Sequence, residues 1–141
     1  MVEIRLKVRP TQTEVNRVMR GLVGFNRAAF PNPIDYLPVG LFITDPKTKK
    51  ISGGLTGYGG YDWMFVQFLF VPEELRGQGV GTKLMERAEE WARAEALIGI
   101  WIDTFEFQAR GFYEKLGFTL FGTIEDHPVG SRRYFLQKRL D

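Results

Sequence analysis

Apolar and charged residues alternate along Met1-Val2-Glu3-Ile4-Arg5-Leu6-Lys7-Val8-Arg9, a period of two that predicts an opening strand. Thr11 and Glu14 have capping-box spacing, which predicts a helix to about Arg20. Gly21 and Gly24 interrupt the pattern, and a second short helix over Leu22 to Phe30 is expected to stop at Pro31-Asn32-Pro33, because proline disfavours helix at the residue before it. An apolar run from Leu37 to Thr44, a charged turn at Asp45 to Lys50 and a second run from Ile51 to Tyr58 read as a hairpin.

Tyr61 to Val71 is apolar at both odd and even positions, the pattern of a strand buried on both faces, and Pro72 ends it. Val80, Leu84, Ala88 and Trp91 then recur at helical spacing within Gly79 to Ala96, with Glu89 and Arg93 one turn apart on the polar side. A short strand over Leu97 to Thr104, a helix over Phe107 to Leu116 ended by Gly117, and two strands over Phe118 to Ile124 and Arg132 to Lys138 complete the chain. The order predicts one mixed α/β domain over residues 1–141, in which residues 61–103 form a strand-loop-helix-strand crossover.

Composition narrows the class. With 141 residues, 44% hydrophobic and 26% charged, the chain reads as an ordinary globular domain. It has no cysteine, which excludes disulfide frameworks and thiol nucleophiles, and its single histidine makes a metal site improbable; no metal is expected. No apolar run approaches the ~20 residues of a membrane span, and the amino terminus lacks the apolar core of a signal peptide, so no membrane association and a cytoplasmic location are expected. Nineteen basic residues oppose 17 acidic ones; a formal charge of +2 gives no argument for nucleic acid, even at pI 9.0, and Arg132, Arg133, Lys138 and Arg139 read as a solvated face.

The chemistry concentrates between the buried strand and the clearest helix, in Val71-Pro72-Glu73-Glu74-Leu75-Arg76-Gly77-Gln78-Gly79-Val80-Gly81-Thr82. Glycines at alternate positions leave backbone N–H groups unshielded beside the positive pole of a helix, which suits a pyrophosphate, with Arg76 and Thr82 as further donors. The plain alternative is a tight strand-to-helix connection. Gly81-Thr82-Lys83 has the wrong order for a Walker P-loop, and Gly77 to Gly81 runs G-x-G-x-G where a Rossmann fingerprint needs G-x-G-x-x-G.

Arg76-Gly77-Gln78-Gly79-Val80-Gly81 after an apolar strand resembles the acetyl-CoA signature (Q/R)-x-x-G-x-(G/A) of the GNAT superfamily of N-acetyltransferases. Ala109-Arg110-Gly111-Phe112-Tyr113-Glu114-Lys115-Leu116-Gly117-Phe118 is similar to a second signature that follows in the same superfamily, and the element order agrees over essentially the whole chain. The resemblance implies a mostly antiparallel central sheet with a β-α-β cofactor-binding crossover and acetyl transfer from acetyl-CoA to an amine of a small molecule or peptide. It also implies that Gly77, Gln78, Gly79, Val80, Gly81 and Thr82 hold the pyrophosphate with Arg76, that Leu69, Phe70 and Val71 lie beside the pantetheine arm, and that Tyr113 protonates the leaving thiolate.

The central strand lacks the glutamate that many relatives use as a base; its polar residue is Gln67. Asp103 at the carboxyl end of the following strand, Glu106 just beyond it, or a water chain are the candidates, and Asp103 equally suits capping or a turn with Thr104. Asp126 and His127, in a D-H-P-x-G segment shared with a subgroup of small bacterial acetyltransferases, are acceptor-side candidates. Segments 25–36 and 58–63, with Phe25, Phe30, Tyr36, Tyr61 and Trp63, are expected near the acceptor. A catalytically silent acyl-CoA-binding module is the alternative function; relatives often dimerise, and a homodimer stays open.

Overall fold

A computed structural model describes residues 1–31 and 36–141. The chain divides into two compact units, Met1–Pro33 and Ile34–Asp141. In the first unit the capping box forms as expected: Thr11 Oγ1 accepts from the Glu14 amide at 3.1 Å and Glu14 Oε1 accepts from the Thr11 amide at 2.8 Å. Lys7 adds an ion pair to the same carboxylate, and these donors, Lys7 first, hold it below the usual glutamate range. The helix that follows, α1 (Gln12–Ala29), corrects the expectation of two helices by running through Gly21 and Gly24. Each mid-helix glycine costs about 1 kcal/mol relative to alanine, too little to break an 18-residue ladder. It ends before Pro31, with Phe30 as an extended cap. The expected opening strand is also corrected: residues 1–9 form no strand, because alternation marks a face but a ladder needs a partner for its N–H and C=O groups.

The second unit is a six-stranded sheet in the order β1, β2, β3, β4, β6, β5, formed by β1 (Leu37–Thr44), β2 (Ile51–Gly60), β3 (Trp63–Phe70), β4 (Gly99–Phe105), β5 (Thr119–Glu125) and β6 (Arg132–Arg139). Every neighbouring pair is antiparallel except β3 and β4. The parallel pair is joined through a 3₁₀ turn at Glu73–Leu75 and α2 (Val80–Ala94), as the crossover reading requires; α3 (Arg110–Lys115) links β4 to β5.

The core lies on one sheet face. Leu55, Met64, Val66, Ile100, Ile102 and Leu136 meet Leu84, Met85, Ala88 and Ala92 of α2, and the whole set is buried. Burying each large side chain contributes roughly 1.5–3 kcal/mol. Glu89 fastens the outer side of α2 to β6 through Lys138 at 2.9 Å, while Arg93 bridges it within the helix at 3.0 Å. Partial burial alone would raise the Glu89 carboxyl, but hydrogen bonds from Lys138 and Arg93 outweigh it and hold it below the usual range.

β3 departs from the two-sided burial its sequence suggests. Met64 and Val66 are buried, whereas Gln67, Phe68 and Phe70 are exposed. The cause is a bulge: Gly57 of β2 faces Val66 but Thr56 faces Phe68, so Gln67 is the extra residue. The backbones approach so closely there that a Cβ on Gly57 would run into the Phe65 carbonyl. Gly57→Ala is expected to lower stability by about 3 kcal/mol, the upper end for an overpacked site, measured by denaturant unfolding; an unchanged midpoint would contradict the close approach.

Candidate active site

The bulge matters because of where it falls. Pairing between β3 and β4 runs only from Trp63 with Gly99 to Val66 with Ile102, and Gln67 comes next. From there the two strands part, and a cleft of about 920 Å³ opens between their carboxyl ends. Its walls are Val66 to Val71 of β3 and its exit, the glycine turn, the end of β4, and the start of α3. Carboxyl ends of strands, at a break in regular pairing, are where α/β sheets collect ligands.

The glycine turn forms one end. Leu75 and Arg76 donate backbone hydrogen bonds to the carbonyls of Pro72 and Glu73, which closes the 3₁₀ turn, and Arg76 Nε donates to the Val71 carbonyl at 3.0 Å. Arg76 therefore ties the turn back to the end of β3, with its guanidinium 5.8 Å from the Phe70 ring centroid. Gly79 caps α2 in the left-handed conformation, φ 77°, with no side-chain cap and no acidic residue in the first turn. The first amides of α2 are thus left without side-chain acceptors at the positive pole of a 15-residue helix. Gly77 and Gly79 border open space, whereas a Cβ on Gly81 would stand 3.2 Å from the Phe112 ring, so Gly81 also serves the packing of α2 against α3. Leu69, Phe70, Val71, Val80 and Thr82 line the cleft; Gln78 does not, and its amide donates to the Glu74 carbonyl.

The other end is polar. Tyr113 of α3 is buried at 7% exposure and lines the cleft. Burial first, and then the charge of Asp103, push its phenol up to about 12. Sequence reading missed how α3 is held. Buried Thr104 donates to Gln108 Oε1 at 3.1 Å and accepts from the Ala109 amide, while Gln108 Oε1 also accepts from the Phe105 amide at 2.7 Å. A turn residue four positions from a threonine was the available signal.

Asp103 also lines the cleft, with its side chain 16% exposed, and its Oδ1 forms an ion pair with Arg133 Nη2 at 2.9 Å. Neither capping nor a turn with Thr104 describes it. Glu106 stands outside the lining. Its Oε2 accepts from Arg132 and from the Tyr134 hydroxyl, both at 2.9 Å, and these bonds, Arg132 first, hold its carboxyl below the usual range. Asp126 and His127 lie outside the lining as well. Asp126 Oδ1 accepts from the Gly130 amide, and the His127 ring stands edge-on to Phe105 at 5.5 Å.

Of the aromatic residues expected near an acceptor, Tyr36 packs on Tyr58 at 4.8 Å, and a ladder continues through Phe65 to Trp101, whose rings stack at 4.0 Å. Tyr61 sits in the β2–β3 turn at φ 51°, Trp63 begins β3, and Phe25 and Phe30 belong to the first unit, both exposed. Residues 32–35 of that expected region lie outside the described residues. Among the described residues no cluster of His, Cys, Asp and Glu has the geometry of a metal site, and no helix is long and apolar enough to cross a membrane.

Of the four cations of β6, Arg132 and Arg139 are exposed, as a solvated face requires, while Arg133 and Lys138 are partly buried, and all four are paired. Arg132 pairs with Glu106 and Glu125, Arg133 with Asp103, Lys138 with Glu89 and Arg139 with Asp141.

An acetyltransferase from Agrobacterium fabrum is 42% identical over 91 residues, 64% of this chain and 66% of that protein. A blasticidin-S acetyltransferase from Streptomyces morookaense is 40% identical over 92 residues, 64% of this chain and 68% of its own length. The matched part thus spans about two thirds of each relative. A solved structure described as an acetyltransferase from Agrobacterium tumefaciens superposes with a TM-score of 0.93 at 33% identity, covering 99% of this chain and 100% of that one. The model of the acetyltransferase (GNAT) family matches residues 12–118, across the glycine turn, the parting strands and α3, and the chain belongs to that family.

Proposed function

We propose that the chain is an acetyl-CoA-dependent N-acetyltransferase acting on a primary amine of a small molecule or peptide, and that it works as one domain over residues 1–141. The observation that carries this reading is the convergence, in one cleft, of an uncapped helix N-terminus, a strand end unpaired on its β4 side, a buried phenol and a carboxylate. The open space beside Gly77 and Gly79 suits close approach of backbone to a pyrophosphate, with the amides of Gly77, Gly79, Val80, Gly81 and Thr82 as donors. The parted edge of β3 at Leu69, Phe70 and Val71 suits an extended amide-bearing arm added like a strand, and a strand N–H aimed at the thioester oxygen would polarise it.

The reaction forms a C–N bond, breaks the C–S bond, and moves one proton from amine to sulfur. Asp103 accepts the proton from the attacking amine, directly or through a water, and Tyr113 donates a proton to the leaving thiolate. The two steps are coupled by charge. While Asp103 is ionised its field opposes formation of the phenolate; once it holds the proton that opposition ends, and Tyr113 becomes the better acid as the thiolate departs.

Asp126 and His127 lie outside the cleft lining, and neither proton transfer is assigned to them. A relative that carries the name blasticidin-S acetyltransferase supports a small-molecule amine as the first acceptor to try.

An amine panel of blasticidin S, a free amino acid, a polyamine and a lysine peptide, read by release of free thiol from acetyl-CoA, is expected to show turnover; saturable acetyl-CoA binding with no thiol release would leave an acyl-CoA-binding module. Gly79→Ala is expected to raise the acetyl-CoA Kd at least ~10-fold by titration calorimetry, while left-handed strain lowers stability by only about 1–2 kcal/mol; unchanged affinity would remove the turn from the site. Tyr113→Phe is expected to cut kcat ~100-fold with acetyl-CoA affinity within twofold. Because the phenol stays protonated to about 12, the parent should show no Tyr113-dependent loss of kcat near pH 10, where an exposed tyrosine ionises.

A further inference from the structure

Among the described residues Asp103 is the sole carboxylate in the cleft lining, and its partner Arg133 is set apart from the other β6 cations. The acids that hold Arg132, Lys138 and Arg139 (Glu106, Glu125, Glu89 and Asp141) all lie outside the cleft. Register explains how Arg133, itself outside the lining, reaches Asp103. Asp103 faces Phe135 and Phe105 faces Arg133 across the β4–β6 ladder, so Asp103 and Arg133 are diagonal neighbours on one sheet face.

The guanidinium is confined there. Its central carbon lies 5.3 Å from the centroid of Phe105 and 5.6 Å from that of Phe135, and the side chain is only 29% exposed. Two rings this close restrict a planar, rigid fork to few orientations, with Nη2 held 2.9 Å from Asp103 Oδ1. Arg133 Nε is buried with no acceptor among the described residues. A buried donor left unpaired costs stability, and a half-buried ion pair is a weak stabiliser compared with apolar side chains of similar size. Beside two phenyl rings, this position would suit an apolar residue better if stability alone decided it.

We propose that Arg133 is a positioning residue: it fixes the orientation of Asp103, leaving the other carboxylate oxygen for the acceptor amine. This rests on the reading of Asp103 as the group that receives the amine's proton. Its action is confined to Asp103, so its loss acts on the acceptor step and spares acetyl-CoA binding.

The test is a double-mutant cycle in steady-state kinetics, using whichever amine of the panel above the parent acetylates fastest. Arg133→Met is expected to lower kcat 10- to 100-fold, the scale set by misplacing a reacting group by about 1 Å, with the acetyl-CoA Kd within twofold. In an Asp103→Asn background the same change should alter kcat less than twofold, because the group it orients is already inert. Arg133→Lys should recover part of the loss, and it carries the cycle if the methionine variant does not fold. Multiplicative losses in the double variant, or a loss of acetyl-CoA affinity matching the loss of kcat, would overturn the positioning role. Parental kcat in Asp103→Asn would instead overturn the reading of Asp103, and the role of Arg133 with it.

Discussion

The rest of the second unit depends on one interruption: β3 and β4 pair through Val66 and Ile102 and then part. Parting leaves backbone donors and acceptors without ladder partners, a cost comparable to a lost hydrogen bond for every group kept from water. It persists because Gln67 bulges out of register against β2, and the bulge is possible because Gly57 lets the two backbones close up. Once the strands have parted, the exit of β3 and the start of α2 lie along one side of the gap, and the end of β4 leads into α3 on the other. The edge that the fold leaves unpaired is the edge that an extended ligand can complete.

Charge is distributed to suit that gap. The Val80–Ala94 helix begins with no side-chain cap and no acid in its first turn, so its positive pole stays available. Each of the four β6 cations, in contrast, is paired with an acid. A basic pI of 9.0 consequently describes the chain without describing a basic surface on this strand. Tyr113 and Asp103 form the polar end of the cleft: burial keeps the phenol neutral, and the charge of Asp103 adds to that effect.

What was legible in the sequence was local. Thr11 and Glu14 form their capping box because both halves lie within one turn. The apolar stripe of the second helix meets the core through Leu84 and Ala88, since a periodic stripe has one way to face a sheet. Tyr113 and the glycine turn reach the same cleft, as two motifs on either side of a crossover must when the strands between them are neighbours. Alternation in residues 1–9 misled, because a strand is a pairing and not a pattern. Gly21 and Gly24 misled because a penalty of about 1 kcal/mol each was read as a stop.

By itself, then, the sequence determined the element types from Leu37 onward, the glycine turn before the second helix and the family, since propensity, periodicity and glycine spacing act over a few residues. Only the tertiary structure decided which side chains meet over long separations. Arg133 reaches Asp103 across thirty positions of chain, Gln67 becomes a bulge only against β2, and Glu106 is taken up by Arg132 and Tyr134. Such pairings depend on strand register, and a shift of one residue would send the strand side chains among them to the opposite face.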